Sequence, residues 1–161
     1  MTPRIKPSRC EGEFHEALLS SDDCVAEIKY DGGRYMLYLD GPNEVHLYSR
    51  RNFPSIDKAA NVPQFARAIP GLTNMILDGE VMHPDANGLA KKLGCTPLGT
   101  TTRIMLMLPK KALAEQEKTG KLVYKVFDIL YYDGQDVRHK PLRERRACCA
   151  RARRTRRAPR S

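Results

Sequence analysis

An α+β fold, in which antiparallel β-sheets are flanked by helices, is the class that this 161-residue sequence predicts. Short β-rich runs near the N-terminus are separated by glycine turns, a pattern that is typical of an antiparallel meander. The most apolar run of the chain, residues 122–132 (LVYKVFDILYY), is hydrophobic on both faces and predicts a central strand. Proline and glycine delimit helical segments between the strands. The length is sufficient for one domain with a core of its own.

The first half of the chain predicts an irregular arm followed by helices and strands. The arm is residues 1–12, which contain two prolines. Gly32 and Gly33 are expected at the first corner of a three-stranded meander, because glycine tolerates the backbone angles of tight turns. The expected helices are residues 14–20 and 62–69, and the expected strands are residues 25–30, 35–39, 45–49 and 75–82.

The second half predicts a surface loop, two helices, the central strand and the beginning of another helix. Residues 83–100 are rich in turn-forming dipeptides such as Asn87-Gly88 and favour a mobile loop. Proline precedes and glycine follows the second of the two complete helices, which is the usual asymmetry of helix ends. The expected helices are residues 101–108 and 110–119, with a further first turn at 141–146.

The net charge of +9 is concentrated at the C-terminus. Residues 147–161 hold six arginines and no acid, which leaves 22 basic and 19 acidic residues, or +3, for residues 1–146. We therefore divide the chain into a domain of residues 1–146 and an Arg-rich tail of residues 147–161 that is expected to be disordered. Two explanations of the tail stay open: a basic nucleic-acid-binding segment, or residues that follow a lost reading frame.

Several classes of protein are disfavoured by the composition. No apolar run approaches the length of a membrane span, and the N-terminus lacks the apolar region of a secretory signal. Five cysteines at irregular spacing favour reduced intracellular thiols over disulfides or a zinc site. We therefore expect a cytoplasmic protein, without membrane association, that is a monomer.

The stretch from Glu27 to Arg34 (EIKYDGGR) is the strongest candidate for chemistry. In a strand, Glu27, Lys29 and Asp31 would share one face, and such a face could simply point to solvent. The two glycines that follow favour another interpretation, because they allow a backbone to approach a ligand closely. Lys29 would then be a nucleophile toward phosphorus, which requires that its pKa be lowered by burial or by nearby cations.

This stretch, with three later segments, resembles the ATP-dependent DNA ligases, which belong to the lysine-dependent nucleotidyltransferases. The family motif E-x-K-x-D-G-x-R is matched in full by residues 27–34. Ser49-Arg50-Arg51 follows the meander, Leu77-Asp78-Gly79-Glu80 lies in a strand, and Phe127-Asp128 lies in the apolar run, all in the order of the family. The resemblance covers residues 25–146 and implies a DNA-ligase-type adenylation domain.

The resemblance also implies roles for particular residues. Lys29 would attack the α-phosphate of ATP, releasing pyrophosphate and forming lysyl-AMP. The AMP would then pass to a DNA 5′-phosphate at a nick in duplex DNA, in replication, repair or recombination. Glu80 would help to place Mg²⁺. The other implied contacts to the nucleotide are Glu27 near the adenine, Phe127 stacked on it, Glu80 and Arg34 at the ribose, and Arg50 at the phosphates.

The resemblance is incomplete at its C-terminal side. The family continues with an E-G-x-[VM]-x-K motif, a lysine pair and an OB-fold domain, and none of these follows Arg146. We therefore expect an N-terminal fragment that is weak or inactive, since each lost charge contact is costly in such sites. The alternatives are a non-catalytic basic nucleic-acid-binding protein, an RNA ligase or capping-type nucleotidyltransferase, or a chain without any activity.

Overall fold

The computed structural model describes residues 5, 15–41, 44–51, 54–59 and 74–154, with backbone alone for 149–154. These residues form an antiparallel sheet in the order β2-β1-β3-β4-β5. Its strands are β1 (Gly33–Leu39), β2 (Val45–Ser49), β3 (Met75–Met82), β4 (Val123–Tyr132) and β5 (Gln135–Asp136). The predicted α+β class with an antiparallel sheet is thus confirmed.

Four α-helices accompany the sheet in the described part of the chain. They are α1 (Ala86–Leu93), α2 (Pro97–Leu106), α3 (Pro109–Thr119) and α4 (Leu142–Arg154). Two short 3₁₀ helices, Glu16–Ser20 and Ile56–Lys58, lie in the connections. Pro109 starts α3 and Gly120 follows its end, as predicted. The predicted helix at 62–69 lies outside the described residues.

The alternation of side chains along the strands places two apolar clusters on opposite faces of the sheet. Leu37, Leu77 and Ile129 are buried in the larger cluster, together with Ile104 of α2 and Ala112 of α3. Met36, Tyr38 and Ile76 are buried on the opposite face of the sheet. Because successive residues of a strand point to opposite faces, residues 34, 78 and 80 share the second face with this smaller cluster.

Residues 25–30 do not form the strand that was predicted. The segment is extended and exposed, with Val25 at 54% and Ile28 at 76% exposure. The predicted meander required this segment to pair with β1, but both edges of β1 are occupied, by β2 and by β3. The alternation of charged and apolar side chains in residues 25–30 therefore does not correspond to pairing in a sheet, and the strand prediction is wrong.

The predicted loop at residues 83–100 is also wrong, because the turn-forming residues act as helix caps. The side chain of Asp85 accepts the Gly88 N–H at 3.1 Å and begins α1, which ends at Gly94 in the left-handed region with φ of 64°. Thr96 caps α2 in the same way, accepting the Gly99 N–H at 3.0 Å. Turn signals and capping signals use the same residue types, which explains the error.

Two further differences concern the ends of elements. The helix expected at 14–20 is a 3₁₀ helix limited to Glu16–Ser20 within the described residues. Helix α4 continues through Arg154, so residues 147–154 are helical where disorder was expected. Residues 155–161 lie outside the described part, and the division of the chain at Arg146 stays a prediction.

Strand β4 is less central than its apolar sequence suggested. It pairs with β3 along its length, but β5 covers only two of its residues on the other side. Accordingly, Ile129 is its one fully buried residue, and most of its other side chains are half-buried.

Cys24, Cys95 and Cys148, the cysteines whose side chains are described, are all free thiols. Across the described part of the chain, no helix has the length and apolar character needed to cross a membrane.

Candidate active site

A charged surface lies on the face of the sheet opposite the larger core cluster. Its members come from β1, β3 and β4, and we call this surface the site face: Arg34, Asp78, Glu80, Phe127 and Asp128. Arg34 stands directly across from Glu80 in the β1–β3 pair, and Asp78 stands directly across from Asp128 in the β3–β4 pair. Directly opposite residues of paired strands point to the same side, so these four charged side chains converge.

Arg34 is held on this face by two bonds to one carboxylate. Its Nε donates to Asp78 Oδ1 at 3.0 Å, and its Nη2 donates to Oδ2 at 2.5 Å. The Asp78 side chain is only 2% exposed, whereas that of Arg34 is 32% exposed. The hydrogen bond to Asp78 is the main cause that raises the pKa of Arg34. A two-point contact of this kind fixes the plane of the guanidinium as well as its position.

The Arg34 guanidinium also lies over the ring of Phe127, at 5.6 Å from the ring centre, within the range of a cation–π contact. The aromatic ring and the guanidinium therefore form one unit on the site face. An aromatic ring next to a fixed guanidinium suits a ligand that contains a planar base.

Phe127 reaches the site face because β4 contains a β-bulge. Asp78 is opposite Asp128 and Gly79 is opposite Val126, so Phe127 is an extra residue without a partner on β3. Without the bulge, the consecutive residues Phe127 and Asp128 would point to opposite faces of the sheet. The bulge turns both to the same face, which is a common use of bulges beside functional sites.

Asp128 is held by Arg145 of α4 in a second two-point contact. Arg145 Nε donates to Asp128 Oδ1 at 2.8 Å, and Nη2 donates to Oδ2 at 2.7 Å. Both side chains are 16% exposed. The adjacent carboxylates Asp78 and Asp128 thus each have an arginine of their own, which compensates the repulsion between them.

Gly32 brings the segment that contains Lys29 close to β3. Its N–H donates to Glu80 Oε1 at 3.2 Å. A Cβ atom at this position would lie 2.3 Å from the Val81 carbonyl oxygen and 3.0 Å from Glu80 Cγ, so only glycine fits here. The resulting burial raises the pKa of Glu80, against the lowering effects of the Gly32 N–H and the charges of Lys29 and Arg34.

Lys29 and Glu27, the other candidates of the opening motif, are exposed residues of the same extended segment. Lys29 is near enough to Glu80 to act on it electrostatically. Glu27 forms an ion pair with Arg146 of α4, so its carboxylate is directed to that helix. The exposure of Lys29 differs from the buried, desolvated lysine that the sequence-based hypothesis of a nucleophile required.

Arg50 follows Ser49, the β2 residue that pairs with Tyr35 of β1, so the strand register brings it near Arg34. Arg50 is exposed in the turn after β2, and β1 separates β2 from β3. The structure thus brings Arg34, Glu80 and Phe127 together on the site face, and the charge of Lys29 acts on Glu80.

The carboxylates offer limited support for a metal ion. Among the described residues, no group of three or more His, Cys, Asp and Glu side chains is arranged to hold one. Asp78 and Asp128 are occupied by arginines. Glu80 remains as a candidate ligand, and a single carboxylate is compatible with Mg²⁺ when nucleotide phosphates and waters supply the other oxygens.

Tyr124 supports the site face from the core side, and the sequence-based analysis did not identify it. Its hydroxyl lies 2.8 Å from the Tyr35 carbonyl oxygen and 3.0 Å from the Leu77 carbonyl oxygen. Burial raises the pKa of Tyr124 well above its usual value. The ring occupies the space beneath Gly79, where a Cβ atom would lie 2.6 Å from it.

Asp128 and Arg145 were also missed as site residues. Asp128 had a signal, since an acid in the most apolar run of a chain needs a partner. Arg145 had no such signal, because several arginines lie near it in the sequence and only the folded structure shows which of them bonds to Asp128.

Comparison with known proteins identifies related sequences. A family model described as an ATP-dependent DNA ligase domain matches residues 6–156. The chain is 34% identical over 134 residues to a DNA ligase of Methanosphaerula palustris, covering 82% of this chain and 22% of that protein. It is 33% identical over 153 residues to DNA ligase 3 of Dictyostelium discoideum, covering 91% of this chain and 12% of that protein.

A solved structure has the same fold over most of the chain. A mycobacterial DNA ligase D complexed with ATP and MES matches with a TM-score of 0.55 over 80% of this chain and 36% of that one. The sequence identity is 19%, so this likeness supports the fold alone.

Proposed function

Because the chain belongs to the ATP-dependent DNA ligase family, we propose that it binds ATP on the site face and transfers AMP to Lys29. The observation that carries the proposal is the convergence of Phe127, Arg34 and Glu80 on one face, where the charge of Lys29 also acts on Glu80. A nucleotidyl transfer to lysine requires a bound nucleotide and an amine within reach of its α-phosphate, and these residues are candidates for both roles.

In the proposed reaction, the deprotonated Nζ of Lys29 attacks the α-phosphorus of ATP. A nitrogen–phosphorus bond forms, the bond to the pyrophosphate oxygen breaks, and the amine proton is lost to solvent. Arg34, whose guanidinium is bonded to Asp78, would contact the ribose. Phe127 would stack on the adenine, and Glu80 would contact the ribose.

Mg²⁺ would be held by Glu80 together with phosphate oxygens, and it supplies charge neutralisation at the phosphates. Glu80 already has a raised pKa, so a cation nearby would favour its ionised form. The residues present therefore fit a metal that arrives with the nucleotide.

We further propose that the AMP passes to the 5′-phosphate of nicked duplex DNA. The relatives that match are named DNA ligases, which favours DNA over the RNA ligase and capping alternatives. Arg50 is exposed and could contact the phosphates. The segment from Lys29 to Gly32 would carry the AMP from the ATP-binding site to the DNA 5′-phosphate.

The first step can be tested by incubating the chain with Mg²⁺ and ATP that is labelled at the α-phosphate. We expect weak covalent labelling, because Lys29 is exposed and its hydrated amine must lose water before it attacks. Lys29→Ala should abolish the label. Lys92→Ala, at an exposed lysine of α1, should leave it unchanged. Label that persists in Lys29→Ala would refute the assignment of the nucleophile.

A further inference from the structure

Arg145 has no role in the proposed reaction, yet its guanidinium is bonded on several sides. Besides its two bonds to Asp128, its Nη1 donates to the Lys140 carbonyl oxygen at 2.5 Å. Three of its nitrogens thus have fixed partners, which leaves little freedom for the plane of the group.

The carboxylate that Arg145 holds is bonded to the bulge itself. Asp128 Oδ1 accepts the backbone N–H of Ile129 at 2.8 Å and also the Arg145 Nε–H. Asp128 lies between Phe127, which is the extra residue of the bulge, and Ile129. Arg145 therefore contacts, through one carboxylate, the backbone whose irregular path turns Phe127 to the site face.

A second connection runs through Arg34. The charge of Asp128 acts on Arg34, although Arg34 is bonded to Asp78. If Arg145 did not neutralise Asp128, two adjacent carboxylates would compete for the single guanidinium of Arg34. A shift of Arg34 toward Asp128 would alter its contact with the Phe127 ring.

We propose that Arg145 is a positioning residue that fixes the Phe127 ring on the site face by holding Asp128 at the β-bulge of β4. The importance of that ring for ATP rests on the function proposed above, whereas the effect of Arg145 on the ring position does not. Helix α4 thereby determines the geometry of the adenine side of the site without contact to the nucleotide.

The position of the ring can be followed directly by NMR after selective labelling of phenylalanine rings. The chain contains four phenylalanines, so the signals are few, and Phe127→Leu identifies the one of interest. In Arg145→Lys, which keeps the charge but cannot make the two-point contact, we expect the Phe127 signal to shift and broaden.

The matched control is a third two-point pair, which lies away from the site face. Arg138 donates to both oxygens of Asp136, at 3.0 Å and 2.6 Å, but this pair is exposed and lies beyond β4. Arg138→Lys should leave the Phe127 signal unchanged. If Arg145→Lys does not fold, the double variant Asp128→Asn/Arg145→Met removes both charges together and avoids an unpaired carboxylate. An unchanged Phe127 signal in the folded Arg145 variant refutes the proposal.

Binding measurements separate this proposal from the proposed function. We expect Arg145→Lys to weaken ATP binding about tenfold, because stacking on an aromatic ring is worth that much or more. Binding of inorganic tripolyphosphate, which has no base, should be unchanged, whereas a general loss of structure would weaken both. If the unmodified chain does not bind ATP, the proposed function fails, while the shift of the Phe127 signal still decides the role of Arg145.

Discussion

Replacing Gly32 by alanine tests whether the segment that carries Lys29 depends on close contact with β3. The new Cβ would lie 2.3 Å from the Val81 carbonyl oxygen, far inside contact distance, and this oxygen belongs to the backbone of β3. Because the paired sheet cannot move away easily, the segment that carries Lys29 must move instead. The hydrogen bond from the Gly32 N–H to Glu80 is then lost. Overpacking of this kind costs about 1–3 kcal/mol of unfolding free energy.

The loss can be measured by urea unfolding followed by circular dichroism. Gly41→Ala is a matched control, because among the described residues a Cβ at Gly41 would have no neighbour nearer than 3.9 Å, and Gly41 lies outside the left-handed region. We expect this control to stay within about 0.5 kcal/mol of the unmodified chain. If Gly32→Ala is as stable as the control, the close approach of this segment to β3 does not exist in solution.

Three other substitutions test the site face and its support. Asp78→Asn leaves the partly buried Arg34 without its carboxylate, so we expect a loss of about 2–3 kcal/mol in unfolding free energy; an unchanged urea midpoint would contradict this. Burial raises the pKa of Glu80, so the folded chain binds the proton of the Glu80 carboxyl group more tightly than the unfolded chain does. Protonated Glu80 therefore contributes stability at low pH. The free energy of unfolding of the unmodified chain, relative to that of Glu80→Gln, should therefore fall as pH rises. The fall should begin at about pH 4, the usual carboxyl range, and end above the pKa of Glu80 in the folded chain. A difference that stays constant with pH would disprove the burial of this group. Tyr124→Phe removes a buried hydroxyl next to two carbonyl oxygens and should cost about 1–2 kcal/mol; no loss in a thermal melt would mean that these carbonyls do not need it.

The elements that the sequence predicted well are those whose signals are local. Strands β2 and β3 have the predicted bounds, and α3 begins one residue early, because alternation, β-branched residues and proline act within a few residues of each other. The resemblance to the family named Lys29, Arg34, Glu80 and Phe127 as candidates, and their roles stay predictions. The convergence of Arg34, Glu80 and Phe127 needed the sheet order, which no local pattern contains.

The errors have a common physical cause, which is that pairing and capping depend on partners elsewhere. Residues 25–30 have an adequate strand pattern, but β3 takes the edge of β1 that they needed. The residues 83–100 have turn composition, yet Asp85 and Thr96 use that chemistry to cap helices. In both cases, local propensity was read correctly and tertiary context decided otherwise.

The two sides of the proposed site are held by contacts of very different strength. On the adenine side, Arg34 and Arg145 each make a two-point bond to a half-buried or buried carboxylate, within a paired sheet. On the side of the nucleophile, the segment of Lys29 has no sheet partner and is attached by the Gly32 bond to Glu80 and the Glu27–Arg146 pair. That pair is about one-third exposed, and such pairs contribute roughly 0–1 kcal/mol. The base would therefore be bound at a rigid surface, while Lys29 keeps the freedom to move with the AMP that it carries.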